Sequence, residues 1–261
     1  MTIEALPAAP SAWLPFNLPD GPTRLYCLPH AGGSASMFVP WSRGLDGVAV
    51  RPVEPPGRGT RFGQSPYTRI TSLVDDLAQT ILEQEWEEQG RYAVYGHSLG
   101  ALVAFELLRE LRRLGAPAPV HLFVSGCQAP DEADRDTDPP VGGLTDGEVA
   151  DVLRKIGGTP EQLLRDRTAL RMILPPFRAD FQAKQSYSFR PEAPLDVPLT
   201  AIAATADPRV GASELQAWER HTTGRFELFS LVGGHFAVLE QAEQTQRIIR
   251  RALAAAPVSV H

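Results

Sequence analysis

The sequence predicts an α/β fold: a mostly parallel central sheet flanked by helices, with one helical insertion. Three observations carry that expectation. Short apolar, β-rich runs alternate with longer runs of helical periodicity, as in consecutive βαβ units. The pentapeptide Gly96-His97-Ser98-Leu99-Gly100 stands between one strand-like run, Arg91-Tyr92-Ala93-Val94-Tyr95, and a helical run ending at Leu114. One stretch, 144–186, carries helical patterns with no strand between them. At 261 residues and 43% hydrophobic content the chain can bury one sizeable core, whereas a second independent domain would be cramped. The expectation is a single domain over 1–261 with an insertion at about 144–186.

Strands are expected at 24–28, 48–53, 92–95, 121–125, 199–203 and 226–231. Helices are expected at 70–87, 98–114, 213–222 and 240–255. Gly115 suits the C′ position after the second helix, with Arg112 and Arg113 in the last turn where cations suit the dipole. The acidic cluster at 83–88 reads as a solvated face. In the insertion, Thr145-x-x-Glu148 is a capping box, and Thr159-Pro160-Glu161 supplies a cap, an N1 proline and an acidic residue. A third run, 168–185, contains Pro175-Pro176, which should bend or split it. An all-helical insertion between two core strands reads as a lid. The stretch 129–143 before it, rich in Asp, Pro and Gly, reads as an exposed, mobile connector.

The net charge of -6, with no Lys/Arg-rich run, argues against a nucleic-acid binder. Cys27 and Cys127 cannot build a disulfide framework and read as reduced, structural thiols. The first sixteen residues lack the basic and apolar regions of a signal peptide, and no apolar run approaches transmembrane length. A soluble, cytoplasmic protein is expected, without a membrane partner.

The pentapeptide gains meaning from its flanks. Between strand and helix, G-x-S-x-G is a nucleophile elbow, the turn that lifts a serine hydroxyl above the edge of an α/β-hydrolase sheet. The serine is then strained, and Gly96 and Gly100 avoid Cβ clashes where strand and helix come close. The helix start aims free N–H groups at the oxygen that turns negative during acyl transfer. A tight turn with a capping serine is the bland alternative; flanks and pentapeptide together favour the nucleophile.

Such a serine needs a base, and the base needs an acid to orient it, in the chain order Ser, Asp/Glu, His. Of six histidines, His30 and His97 precede or adjoin the serine, His121 opens the strand after the elbow helix, and His261 is the terminal residue. His221 closes a surface helix, where the dipole favours it without any catalytic role. His235 remains, in Gly233-Gly234-His235-Phe236 directly after the last expected strand. The acid should follow the preceding strand, and Asp207 is the sole carboxylate of the loop 204–210. An Asx turn opened by Asp207-Pro208 is its structural alternative. Asp196 lies at the wrong end of the sheet. Two backbone donors complete an oxyanion hole: the Leu99 N–H, and the Ala31 N–H from the small-residue loop after the first strand.

Further short motifs extend this set along the chain. They are Leu28-Pro29-His30-Ala31-Gly32-Gly33-Ser34-Ala35, Pro56-Gly57-Arg58-Gly59-Thr60-Arg61, Ile156-Gly157-Gly158-Thr159-Pro160, Leu174-Pro175-Pro176 and Arg178-Ala179-Asp180-Phe181. With the elbow, Asp207-Pro208 and Gly233-Gly234-His235-Phe236, they form an ordered set over nearly the whole chain. By that set the chain resembles the type II thioesterases, free-standing editing hydrolases of modular polyketide and nonribosomal peptide synthases. The family's triad falls on Ser98, Asp207 and His235, and its oxyanion donors on Ala31 and Leu99. The chain departs from the pattern at Ala203-Ala204-Thr205-Ala206, where relatives often carry glycines, and at Gln64, often a glutamate; both bear on substrate preference.

The resemblance implies the α/β-hydrolase fold with a lid, and hydrolysis of acyl groups from the phosphopantetheine arm of carrier proteins through an acyl-enzyme. It implies no cofactor and no metal, and an acyl-carrier or peptidyl-carrier protein as partner. Arg58, Arg61 and Arg178 are cations that could meet an acidic carrier, with solvated surface charge the simpler reading. A monomer is the default. An acyltransferase or cyclase of the same fold would use the same triad and deliver the acyl group to an alcohol or amine. A general esterase would act on oxygen esters. A non-catalytic binding scaffold would have no need of all three triad groups.

Overall fold

The computed structural model describes residues 11–85, 90–135 and 141–255. Six strands form one sheet in the order β2-β1-β3-β4-β5-β6, every neighbouring pair parallel. They are β1 (Thr23–Leu28), β2 (Val48–Pro52), β3 (Arg91–His97), β4 (His121–Ser125), β5 (Leu199–Ala204) and β6 (Phe226–Leu231). Each lies within two residues of its expected bounds. Parallel strands are covered on both faces, and β1 shows why its last four residues, Leu25-Tyr26-Cys27-Leu28, read as a continuous apolar run. Tyr26 and Leu28 join the core on one face, with Leu77 and Ile81 of helix α1 (Ile70–Glu85) and Leu102 and Phe105 of helix α2 (Leu99–Arg113). Leu25 and Cys27 face the other side, against Phe38, Trp41 and Ile249. Neither Cys27 nor Cys127 forms a disulfide, and both are buried.

Between β4 and β5 the chain is helical: α3 (Asp146–Ile156), α4 (Glu161–Arg165) and α5 (Arg167–Gln185). The Thr145–Glu148 capping box forms in full. At α4 the cap position belongs to Pro160 rather than Thr159, with no side-chain bond. Of the bend or split expected at Pro175-Pro176, the split does not occur; α5 runs through both prolines. A proline costs about 3 kcal/mol in a helix interior. Burial of Leu174, Phe177 and Phe181 on one face of α5 stabilises by roughly 1.5–3 kcal/mol per side chain, enough to keep the helix whole.

The connector before the insertion is less exposed than expected. Ala129 and Val141 are buried, and Asp131 and Glu132 pair with Arg220 across the chain. Residues 136–140 of it lie outside the described residues, as do most of the 83–88 cluster's side chains and His261. After β5 come α6 (Ala212–Gln216) and a 3-10 turn at Ala217–His221, then after β6 α7 (Ala237–Glu240) and α8 (Ala242–Ala255). The expected helix 213–222 is therefore two shorter pieces, and that at 240–255 begins with a break at Gln241. No helix among the described residues is long and apolar enough to cross a membrane.

The strand order sets the place of chemistry. The chain moves outward from β1 to β2, then crosses back so that β3 pairs with the other side of β1. The register puts Leu28 opposite Gly96, so the loop after β1 and the turn after β3 emerge side by side. A crevice at this switch point is where open parallel sheets bind ligands.

Candidate active site

Ser98 occupies the single residue between β3 and α2, at φ 55 and ψ -122. It is the sole non-glycine residue with positive φ among the described residues. The flanking glycines are dictated by contact. A Cβ on Gly96 would strike the Gly100 carbonyl, and one on Gly100 would strike the carbonyls of Leu28 and Pro29. The turn is pinned by the Ser98 N–H, which donates to the Ser125 carbonyl at 2.8 Å.

His235 and Asp207 come from the loops after β6 and β5. The His235 Nδ1–H donates to Asp207 Oδ2 at 2.7 Å, with both side chains about 1% exposed. Asp207 Oδ1 accepts from the Arg209 N–H at 2.9 Å. The Asx turn that Asp207-Pro208 suggested thus forms, and it holds the carboxylate still for the histidine. A carboxylate on Nδ1 fixes the proton there and leaves the lone pair on Nε2. That Nε2 is buried and has no hydrogen-bond partner in the structure. Ser98 and His235 line one cavity of about 50 Å³, whose wall includes Ala31, Ile156, Ile173, Phe177 and Phe236.

Two more imidazoles flank the base. The His97 ring lies 4.8 Å from that of His235 and 5.9 Å from that of His30. Burial holds His97 well below the usual histidine range, with neighbouring His235 and His30 adding to the effect. Burial likewise takes His30 down to about 3, helped by His235, Arg58 and Arg209. Both are neutral at pH 7, so neither repels a cation forming on His235.

The loop after β1 shows which amide is free. The Gly32 N–H donates to Asp180 Oδ2 at 2.7 Å, that of Gly33 to the His30 carbonyl at 2.8 Å, and that of Ala35 to Glu54 Oε1 at 3.3 Å. Among the described residues no acceptor engages the Ala31 N–H. Leu99 is the first residue of α2, so its N–H has no intrahelical acceptor. The structure therefore gathers Ser98, His235, Asp207, Ala31 and Leu99 at one end of the sheet. Such a set can supply a serine nucleophile, a base oriented by a carboxylate, and two backbone donors for an oxyanion.

Residues 23–253 match the family model of the thioesterase domain. The thioesterase PikA5 of Streptomyces venezuelae is 39% identical over 224 residues, covering 85% of this chain and 78% of that protein. The chain belongs to the thioesterase family. Among solved structures, the RedJ thioesterase from the prodiginine biosynthetic pathway of Streptomyces coelicolor superposes with a TM-score of 0.82 at 37% identity, over 97% of this chain and 96% of that one. The type II thioesterase BorB from the borrelidin biosynthetic cluster superposes with a TM-score of 0.79 at 36% identity, over 88% and 92%. The thioesterase shares the α/β-hydrolase fold with these neighbours.

The expectations for Arg58, Arg61 and His221 are corrected. Arg58 and Arg61 are neither docking cations nor solvated ones: both are buried. Arg58 pairs with Asp180, while Arg61 lies over the Trp13 ring and donates to the Glu54 carbonyl. Arg178 is half-buried and donates to Asp146 and to the Val141 carbonyl. His221 is not on the surface; it is buried beside Phe105, Phe189 and Trp218 and pairs with Asp131 at 2.7 Å. The sequence reading gave Asp180 and Glu54 no role, although this thioesterase uses both to hold the Ala31 loop. The available cue was the carboxylate of Arg178-Ala179-Asp180-Phe181 set among apolar residues.

Proposed function

We propose that this thioesterase hydrolyses acyl groups from the phosphopantetheine arm of carrier proteins serving a polyketide or nonribosomal peptide synthase. The observation that carries the chemistry is the buried His235–Asp207 hydrogen bond opening on the same cavity as the strained Ser98. The carrier substrate is supported by likeness to the type II thioesterase BorB of a biosynthetic cluster. His235 Nε2 takes the Ser98 proton as the hydroxyl oxygen attacks the thioester carbon. The Ala31 and Leu99 N–H groups receive the resulting oxyanion. Collapse breaks the C–S bond, and the imidazolium returns its proton to the leaving thiolate. Water, deprotonated by His235, then attacks the acyl-Ser98 ester; the C–O bond to Ser98 breaks, the imidazolium returns its proton to the Ser98 oxygen, and the acid leaves. Helices α3 to α5 serve as the lid over this site, supported by Ile156, Ile173 and Phe177 in its wall. A cytoplasmic location suits a carrier-dependent enzyme whose two cysteines form no disulfide.

The test is acid release from a panel of acyl-loaded carrier proteins by the wild type and Ser98→Ala. The expected loss in the variant is about 10⁴-fold or more in kcat. Transfer of the acyl group to an added alcohol or amine, without acid release, would replace hydrolysis by acyltransfer. No turnover of either kind would leave a binding scaffold.

A further inference from the structure

The face of α5 toward the Ala31 loop carries an acid that is almost wholly buried. Asp180 is 3% exposed and Arg58 6%. Asp180 Oδ1 accepts from Arg58 Nη2 at 2.9 Å, and Oδ2 accepts both from Arg58 Nη1 and from the Gly32 N–H, the latter at 2.7 Å. Arg58 is itself fixed to backbone: Nε and Nη2 donate to the Pro56 carbonyl at 3.3 and 3.2 Å, and Nη1 to that of Gly33 at 3.4 Å. Gly32 stands at φ +74, where a Cβ would press on the Phe177 ring at 3.3 Å. The loop is thus clamped from α5 at its centre, while Glu54 holds its far end through the Ala35 N–H.

A buried ion pair of this kind contributes little net stability over an apolar pair of similar shape. Its distinctive act here is geometric. By claiming the Gly32 N–H and the Gly33 carbonyl it fixes Gly32 and Gly33, and the Gly33 N–H in turn holds the His30 carbonyl at 2.8 Å, the other end of the peptide plane that carries the Ala31 N–H. We infer that Arg58 and Asp180 are positioning residues for the oxyanion hole, aiming the Ala31 donor through Gly32, so that the hole is complete only with α5 seated. The inference rests on the hydrolytic reading of Ser98 given above. Donors of this type act only when held in place before the charge develops, which is why a side chain that never touches substrate can govern the rate.

Two double variants separate aiming from folding. Arg58→Met with Asp180→Leu removes both charges and the acceptor of the Gly32 N–H. Arg58→Met with Asp180→Asn removes the charges and keeps an acceptor. Neither leaves a lone buried charge, so both should melt within a few degrees of each other. The leucine variant is expected to lose about 30- to 100-fold in kcat, with KM within about threefold, since full loss of one oxyanion donor costs about 10²–10³. It should lose affinity for an alkyl boronic acid, whose tetrahedral adduct mimics the oxyanion, by a similar factor. The asparagine variant should regain at least about tenfold of both losses. A folded leucine variant with wild-type kcat and boronate affinity, or equal losses in the two variants, overturns the inference.

Should the variants not fold, the wild type decides by NMR. The Gly32 amide proton should be downfield and slow to exchange, and boronate should shift the Ala31 amide more than that of Gly32. The reverse order overturns the inference. Acid release by wild type in the same assay keeps the outcomes apart: its absence sinks the hydrolytic reading, not the clamp alone.

Discussion

Ser98 holds a backbone conformation that costs roughly 1–3 kcal/mol for an L residue, and the packing of β3 against α2 sustains it. The same crowding buries His30 and His97 beside His235. Their depressed pKa values carry a stability consequence. Free in the unfolded chain, His30 titrates near 6.5; folded, it titrates at about 3. Above pH 6.5 both states are neutral there and nothing is gained or lost. As pH falls below 6.5 the unfolded chain binds a proton that the folded chain refuses, so stability falls, by about 1.4 kcal/mol per pH unit. His30→Gln should flatten the acid slope of stability by about 1 kcal/mol per unit between pH 6 and 4, read from urea unfolding. Parallel slopes in variant and wild type would place the ring in a wetter setting than the structure does.

At the scale of elements, α5 shows packing overriding propensity. Pro176 is buried with Leu174 and Phe177, whereas Pro175 is exposed. Pro175→Ala restores an N–H for the helix ladder and keeps the buried face. It should raise stability by about 1 kcal/mol, the helix gain being partly offset by a freer unfolded chain. A fall in melting temperature would mean that the ring itself packs. The strand and helix order was legible before any coordinates, since period-two and period-3.6 patterns are local. Continuity through two prolines was not, because it depends on what α5 covers.

Across the whole molecule, β1, β3, β5 and β6 deliver their loops to one end of the sheet, and α3 and α5 add Ile156, Ile173 and Phe177 to the cavity wall there. The cavity they leave, about 50 Å³, is small beside ordinary ligand pockets of roughly 300–1,000 Å³. Short acyl groups should therefore turn over faster than long ones. Ile173, half-buried in the cavity wall, is the gentlest place to enlarge it. Ile173→Ala should raise the kcat/KM ratio of hexanoyl to acetyl carrier by about tenfold, in line with what a methylene or two is worth in an apolar pocket. An unchanged ratio would show that the chain leaves Ser98 by another route.

The sequence by itself determined the sheet, the turn at Ser98, the loops that carry Asp207 and His235 to the same end of the sheet, and the Ala31 loop. Each is written in a short pattern: alternation, glycines two residues either side of a serine, a carboxylate and a histidine directly after successive strands. Only the tertiary structure decided the fate of the charges. Arg58 and Asp180 lie 122 residues apart and His221 and Asp131 lie 90 apart, and nothing near any of them in the chain announces its partner. A charged side chain is solvated or buried according to what stands across from it, and burial is tolerated where a partner and hydrogen bonds replace water. That is a property of the assembled fold, so an arginine that reads as surface charge can be the buried partner of an acid 122 residues away.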